Sequence, residues 1–404
     1  MPGPGFDLIG EEEANQLLDV INSRQMSRYR FDDDGTALPS KVYLFERDLE
    51  SLTEAKHCLG MNSCTSALLS GMWAAGIGYG DEVIVPGYTF IASIAAIAYT
   101  GAVPVLAEID DSLTIDPIDV ARKITPRTKA ILAVHMLGAP CDMNALSTLA
   151  DEHDLLLIED CAQAGGGRFN GRALGTFGAF GAFSLNVFKT FTAGDGGVLL
   201  TNDTELYKRA FAIHDHGSFP NRVGVIDANS FLGLNFRMHE LTGAVALAQI
   251  KKLNGILSKL RSNKAKLLKA IGDHPACRER KINDVDGECA TVLTYIFESQ
   301  ETARTVAENL GTKTLADSGK HNYSHMPQLR GRSLPIYNPQ FKDNSTNISY
   351  EPQSLPQTDD ILARSVALSV GVVDSYLGTS FGINIHSDES DIERVAAAFS
   401  ARLK

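Results

Sequence analysis

The chain has no stretch approaching the roughly 18 consecutive apolar residues that a membrane-spanning helix needs. Its opening, MPGPGFDLIGEEEA, lacks the basic-then-apolar pattern of a secretory leader. A cytoplasmic protein with no membrane partner is expected. Lys and Arg form no dense run and the formal net charge is −12. Nucleic acid, whose capture depends on clustered positive charge, is therefore not an expected partner. The six cysteines, Cys58, Cys64, Cys141, Cys161, Cys277 and Cys289, show no CxxC spacing. Neither a disulfide framework nor a zinc site is signalled, so no metal is expected and the thiols are read as reduced. A GxGxxG after the first predicted strand and a Walker A loop are also missing, which removes the sequence support for an NAD enzyme or an ATP site.

What is present is globular: 44% hydrophobic and 21% charged residues over 404 positions, enough for two domains and a substantial core. Short apolar runs at Glu82–Val85, Val103–Ile109, Lys129–His135, Leu155–Glu159, Ala182–Leu185 and Gly197–Thr201 read as strands. Helical patterns at Thr65–Ala75, Ile91–Tyr99 and Met143–Glu152 lie between them. That alternation predicts an α/β fold with a mostly parallel sheet covered on both faces, and a ligand crevice at the carboxyl ends of its strands. Two amphipathic helices are expected at Glu240–Asn254 and Ile256–Ile271, an extended loop at Ser333–Pro356 and a final helix near Asp388–Leu403. The expected division is a large domain over 1–265, with an N-terminal arm, and a smaller C-terminal α+β domain over 266–404.

Three segments carry candidate chemistry. The run Leu157-Ile158-Glu159-Asp160 is an apolar strand ending in carboxylates. Asp160 is placed to hold a metal, a ribose hydroxyl or a protonated ring nitrogen, or else to cap the following turn. In Phe183 through Gly197, Lys189 sits between an apolar strand and a glycine-rich turn, flanked by Phe188 and Phe191. Desolvation there would lower its proton affinity and free a nucleophilic amine; a lysine snorkelling to the surface is the alternative. Asn62-Ser63-Cys64-Thr65-Ser66 places small hydroxyl residues at a helix start, which suits a phosphate or an ordinary cap. A lysine, a carboxylate, a phosphate cradle and an aromatic face, the last from Phe90, are together what pyridoxal 5'-phosphate (PLP) requires.

The order of these motifs resembles the DegT/DnrJ/StrS sugar aminotransferases, which have the PLP-dependent transferase fold type I of aspartate aminotransferase. The matching elements are Cys64 to Leu68, Gly80 to Pro86 with Thr89-Phe90, Glu159 to Ala164, Gly175 to Gly178, Ser184 to Lys189, Gly194 to Gly197, and Gly233 to Leu241, all in the family's order between about 60 and 252. The resemblance implies that Lys189 holds PLP as a Schiff base and shuttles the proton, and that Asp160 partners the pyridine nitrogen. By the same resemblance Gln163 lies beside the phenolic oxygen, Phe90 stacks on the ring, and Cys64, Thr65 and Ser184 contact the phosphate. Asn235 matches an asparagine reaching the phosphate from the other subunit, which implies a homodimer with shared sites. Thr190-Phe191 replace a common Asn-Leu pair, Ala179 a common Asp, and Cys64 a frequent glycine. Arg28-Tyr29-Arg30-Phe31 and Lys189-Thr190-x-Thr192 further resemble the branch acting on 8-oxo-3-deoxy-octulosonate.

The expected activity is amino transfer from an amino acid donor, glutamate or glutamine, to a keto or aldehyde sugar. Dehydratases of the family carry histidine in place of the lysine, so Lys189 favours transamination. A cyclitol or non-sugar ketone as acceptor, and a regulatory homologue that has lost catalysis, are the alternatives.

Overall fold

The computed structural model describes residues 2–29, 40–218, 231–343 and 348–403. Its central sheet is built from β1 (His57–Met61), β2 (Glu82–Pro86), β3 (Val103–Ala107), β4 (Thr128–Val134) and β5 (Leu156–Asp160). After a two-residue hairpin, β6 (Arg168–Phe169) with β7 (Arg172–Ala173), β8 (Phe180–Ser184) and β9 (Gly197–Thr201) complete it. The order is β1-β9-β8-β5-β4-β2-β3. Pairs β8 to β5, β5 to β4, β4 to β2 and β2 to β3 are parallel, and β9 runs against both its neighbours. The predicted strands and helices of this half lie within about two residues of the observed ones.

β1 has no counterpart in the expectation, because His57-Cys58-Leu59-Gly60-Met61 lacks β-branched residues and contains a glycine. It is nevertheless buried and pairs with β9. A second correction concerns the helices beyond Glu240, which form one continuous helix, Glu240–Ile271. Gly255 costs about 1 kcal/mol of helix propensity. Buried Leu253, Ile256, Leu257 and Leu260 beside it each contribute about 1.5–3 kcal/mol, so packing outweighs the break. Position 265, the expected domain boundary, falls inside this helix. Beyond it, β10 (Cys277–Glu279), β11 (Val292–Phe297) and β12 (Ser365–Ser369) form an antiparallel sheet in the order β10-β11-β12.

Strand alternation divides the core. Val83, Val85, Leu132, Val134 and Ile158 join the cluster on one face of the central sheet; Ile84, Ile131, Ala133 and Leu157 join the other. The first face also packs against Val292, Val372 and Leu377 from beyond residue 271. A third cluster lies under the small sheet, with Tyr295 stacked on Phe399. All six cysteines are free thiols.

Candidate active site

Four parallel strands end around one cavity of about 580 Å³, lined by Cys64, Thr65, Phe90, Asp160, Gln163, Ser184 and Lys189 among others. Each arrives by a short local path. After β1, Ser63 caps the helix Cys64–Ala74 by accepting from Ser66 N–H at 3.0 Å. The first backbone bond of that helix runs from Ala67 N–H to Ser63 C=O at 3.1 Å. The N–H groups of Cys64 and Thr65 precede it, at the positive end of the helix. A Cβ on Gly197 would lie 2.2 Å from the Cys64 nitrogen, so only glycine lets β9 come this close to the helix start.

Asp160 closes β5 and is 4% exposed. Its Oδ2 accepts from Ser93 Oγ at 2.7 Å and its Oδ1 from Ala162 N–H at 3.0 Å. Ser93 is positioned one turn after Phe90, which caps the helix Ile91–Thr100. The Phe90 ring packs against His321, centroids 5.1 Å apart. Gln163 Oε1 accepts from Leu137 N–H at 2.9 Å, which leaves the amide N–H₂ as its free donor end. Ser184 ends β8, and the chain turns through Asn186, whose carbonyl accepts from Lys189 N–H at 3.0 Å. Gly5 N–H donates to the Lys189 carbonyl at 3.4 Å, so the first residues of the chain back this segment.

Burial lowers the proton affinity of Lys189, against the opposing pull of Cys64, Asp160 and Asp374. Phe191 beside it is fully buried, and Phe188 is half-buried. Asn235 is exposed, does not line the cavity, and pairs across an isolated bridge with Asp215. Arg28 and Tyr29 do not line it either: Arg28 is ion-paired with buried Glu46, and Tyr29 OH meets His214 Nε2 at 2.9 Å. Arg30 and Phe31 lie outside the described residues.

The opposite wall comes from the C-terminal part of the chain, where the sequence offered no signal. Lys320, His321, Asp374 and Tyr376 all line the cavity. Lys320 and His321 sit in a single 3₁₀ turn, Gly319–His321, and Asp374 and Tyr376 on a loop, without periodicity or a recognisable spacing. His321 Nδ1 lies 3.2 Å from the Ser318 carbonyl, so that nitrogen carries the proton and Nε2 keeps its lone pair. Burial, and then the charge of Lys189, bring its pKa down to about 4.

Behind Asp160, ligand atoms of His135, Glu159 and Cys161 lie within 4.8 Å of one another. His135 Nδ1 accepts from Cys141 N–H at 3.1 Å, so the Nε2 proton faces Glu159 Oε2 at 3.2 Å. The carboxylate also accepts from the N–H groups of Gly175, Phe177 and Gly178. With these lone pairs already hydrogen-bonded, the trio is a structural network.

An amine of lowered proton affinity, a buried carboxylate with acceptor capacity left, free N–H groups at a helix start and an aromatic face fit PLP. Residues 8–372 match the model of the DegT/DnrJ/EryC1/StrS aminotransferase family. L-glutamine:2-deoxy-scyllo-inosose aminotransferase of Streptomyces kanamyceticus is 33% identical over 377 residues, 89% of this chain and 84% of its own. GDP-perosamine synthase of Escherichia coli O157:H7 is 38% identical over 232 residues, 56% of this chain and 63% of its own. Among solved structures, S. venezuelae DesV superposes with a TM-score of 0.78 at 28% identity, covering 100% of this chain and 99% of that one.

Proposed function

Because the chain belongs to the DegT/DnrJ/EryC1/StrS aminotransferase family, we propose that it moves an amino group from glutamine or glutamate to the carbonyl of a sugar or cyclitol. It is a PLP-dependent transaminase of fold type I. The observation that carries the assignment of the site is that one cavity gathers the Lys189 amine and the buried Asp160 carboxylate.

PLP, when bound, would supply an electron sink and an aldehyde able to carry an amino group. Lys189 anchors it, and its Nζ, biased toward the neutral form by burial, takes and returns the proton. Asp160 holds the proton on the ring nitrogen, with Ser93 and Ala162 fixing the carboxylate. Gln163 offers its N–H₂ to the phenolic oxygen and Phe90 its face to the ring. Cys64, Thr65 and Ser184 hold the phosphate. A regulator that had lost catalysis would have no reason to keep all of these groups in one cavity.

A cyclitol acceptor is supported by the relative with the wider coverage, whose name specifies 2-deoxy-scyllo-inosose. The amine-loaded form of the enzyme, mixed with a panel of keto sugars and keto cyclitols, should regain the absorbance of lysine-bound cofactor with a member of one class. Failure of every polyhydroxylated ketone, with recovery by a simple keto acid, would contradict the acceptor class. We further read the working unit as a cytoplasmic homodimer, with a second domain from about residue 266. The exposed Asn235, lying outside its own cavity, supports a contribution to the partner's site. Mixed Lys189→Ala and Asn235→Ala chains should then regain activity on subunit exchange; no regain after verified exchange would place Asn235 within its own chain.

A further inference from the structure

One stretch of the cavity wall is held in an unusual backbone. Directly after β4, Leu137 adopts φ 56° and ψ 32° and Gly138 φ 79°. A buried leucine enters this left-handed region only at a cost of about 1 kcal/mol or more. The conformation accompanies the aim of Leu137 N–H at Gln163 Oε1, 2.9 Å away.

All three carbonyls of the turn Met136–Gly138 are held from one distant segment. Arg280 Nη1 donates to Met136 at 3.1 Å and Nη2 to Leu137 at 3.0 Å. Cys289 N–H donates to Gly138 at 2.8 Å. A Cβ at Gly138 would meet Thr291 Oγ1 at 2.5 Å, so the turn is wedged against the entry to β11 as well. Arg280 is 2% exposed, and its Nε has no hydrogen-bond partner among the described residues. Burying a guanidinium is expensive, and an apolar side chain of similar length would fill the same space without that cost. What the guanidinium adds is a rigid fork matched to two adjacent carbonyls.

We propose that Arg280 is a positioning residue for the cofactor site: it fixes the Met136–Gly138 turn and, through Leu137 N–H, holds Gln163 with its N–H₂ directed at the cofactor's phenolic oxygen. The proposal rests on the placement of Gln163 beside that oxygen. A donor there stabilises the oxygen's anionic form and weakens its hold on the proton of the neighbouring lysine-bound nitrogen. Losing the donor raises the pH at which the visible absorbance of the lysine-bound cofactor titrates.

The test is a spectroscopic pH titration of holoenzyme, without substrate, for Arg280→Met, Gln163→Ala and the double variant. Each single change should move the midpoint upward by about one pH unit, and the pair no further than Gln163→Ala alone. Arg280→Lys, with one ammonium in place of a fork, should fall between parent and Arg280→Met; if Arg280→Met does not fold, it carries the comparison. An Arg280 variant that titrates like the parent while Gln163→Ala shifts would make Arg280 merely structural and overturn the proposal. Additive shifts in the double variant would also overturn it, since Arg280 would then act by a separate route. No shift in Gln163→Ala itself would overturn the placement of Gln163, and the proposal with it.

Discussion

Glu159 and Asp160 are consecutive on β5, so the pleat sends them to opposite faces of the central sheet. On the inner face, Glu159 meets four donors: Gly175 N–H and His135 on Oε2, and Phe177 and Gly178 N–H on Oε1. A carboxylate has about four lone-pair sites, and all of them are occupied there. On the cavity face, Asp160 meets only Ser93 and Ala162 N–H among the described residues, which leaves about half its acceptor capacity for a ligand. Two acids one residue apart thus do different work. One ties down the loop 175–178 and the other faces the cavity, and the strand's alternation decides which is which.

Substitution should separate the two faces by what is lost. Asp160→Asn is expected to slow amino transfer by several orders of magnitude, more than the roughly 10²–10³ typical of a lost electrostatic contact, because the ring proton goes with the charge. Its unfolding midpoint should stay near the parent's; rates near wild type would make Asp160 a turn cap. Glu159→Gln should do the reverse. An amide N–H₂ would point at backbone donors, at a cost of about 2–4 kcal/mol in denaturant unfolding, while the folded fraction keeps activity within a few-fold. Equal stability for both variants would erase the contrast.

His321 gives the comparison a pH axis. Its folded pKa of about 4 lies below the ordinary 6.5. The unfolded chain therefore binds more protons between these values, and stability present above pH 6.5 is lost as pH falls toward 4. His321→Gln should flatten that pH dependence by up to about 3 kcal/mol, beside a pH-independent loss from the Phe90 and Ser318 contacts. Unfolding curves of parent and variant that stay parallel from pH 7.5 to 4 would show that this histidine protonates freely. The smallest effect is expected from Ser93→Ala, which removes one hydrogen bond from Asp160. Turnover should fall about tenfold, for about 1–1.5 kcal/mol, and an unchanged rate would show that Ala162 N–H alone fixes the carboxylate.

The face carrying Asp160 was readable from sequence because its strands are short apolar runs whose ends coincide with the motif residues. Asp160 and Ser184 stand where such runs stop, and Lys189 in the turn that follows the second, so the topology brings them together. Ser93 was hidden, being an ordinary hydroxyl one turn into a helix. The wall formed by Lys320, His321, Asp374 and Tyr376 was hidden more deeply. A loop and a single 3₁₀ turn have no readable period, and these positions meet the cavity only because the antiparallel sheet packs on the far side of the same core. β1 and the unbroken helix Glu240–Ile271 were misjudged for one reason: burial overrode the local preference of a glycine, at Gly60 and at Gly255.

The central claim, that Lys189 anchors PLP, is tested most directly by reducing the holoenzyme with borohydride, digesting it and locating the modified peptide by mass. The expected result is a single pyridoxyl adduct on Lys189, absent from a folded Lys189→Ala variant that also shows no turnover. An adduct on another lysine, or an unmodified Lys189 in an enzyme that still transaminates, would contradict it.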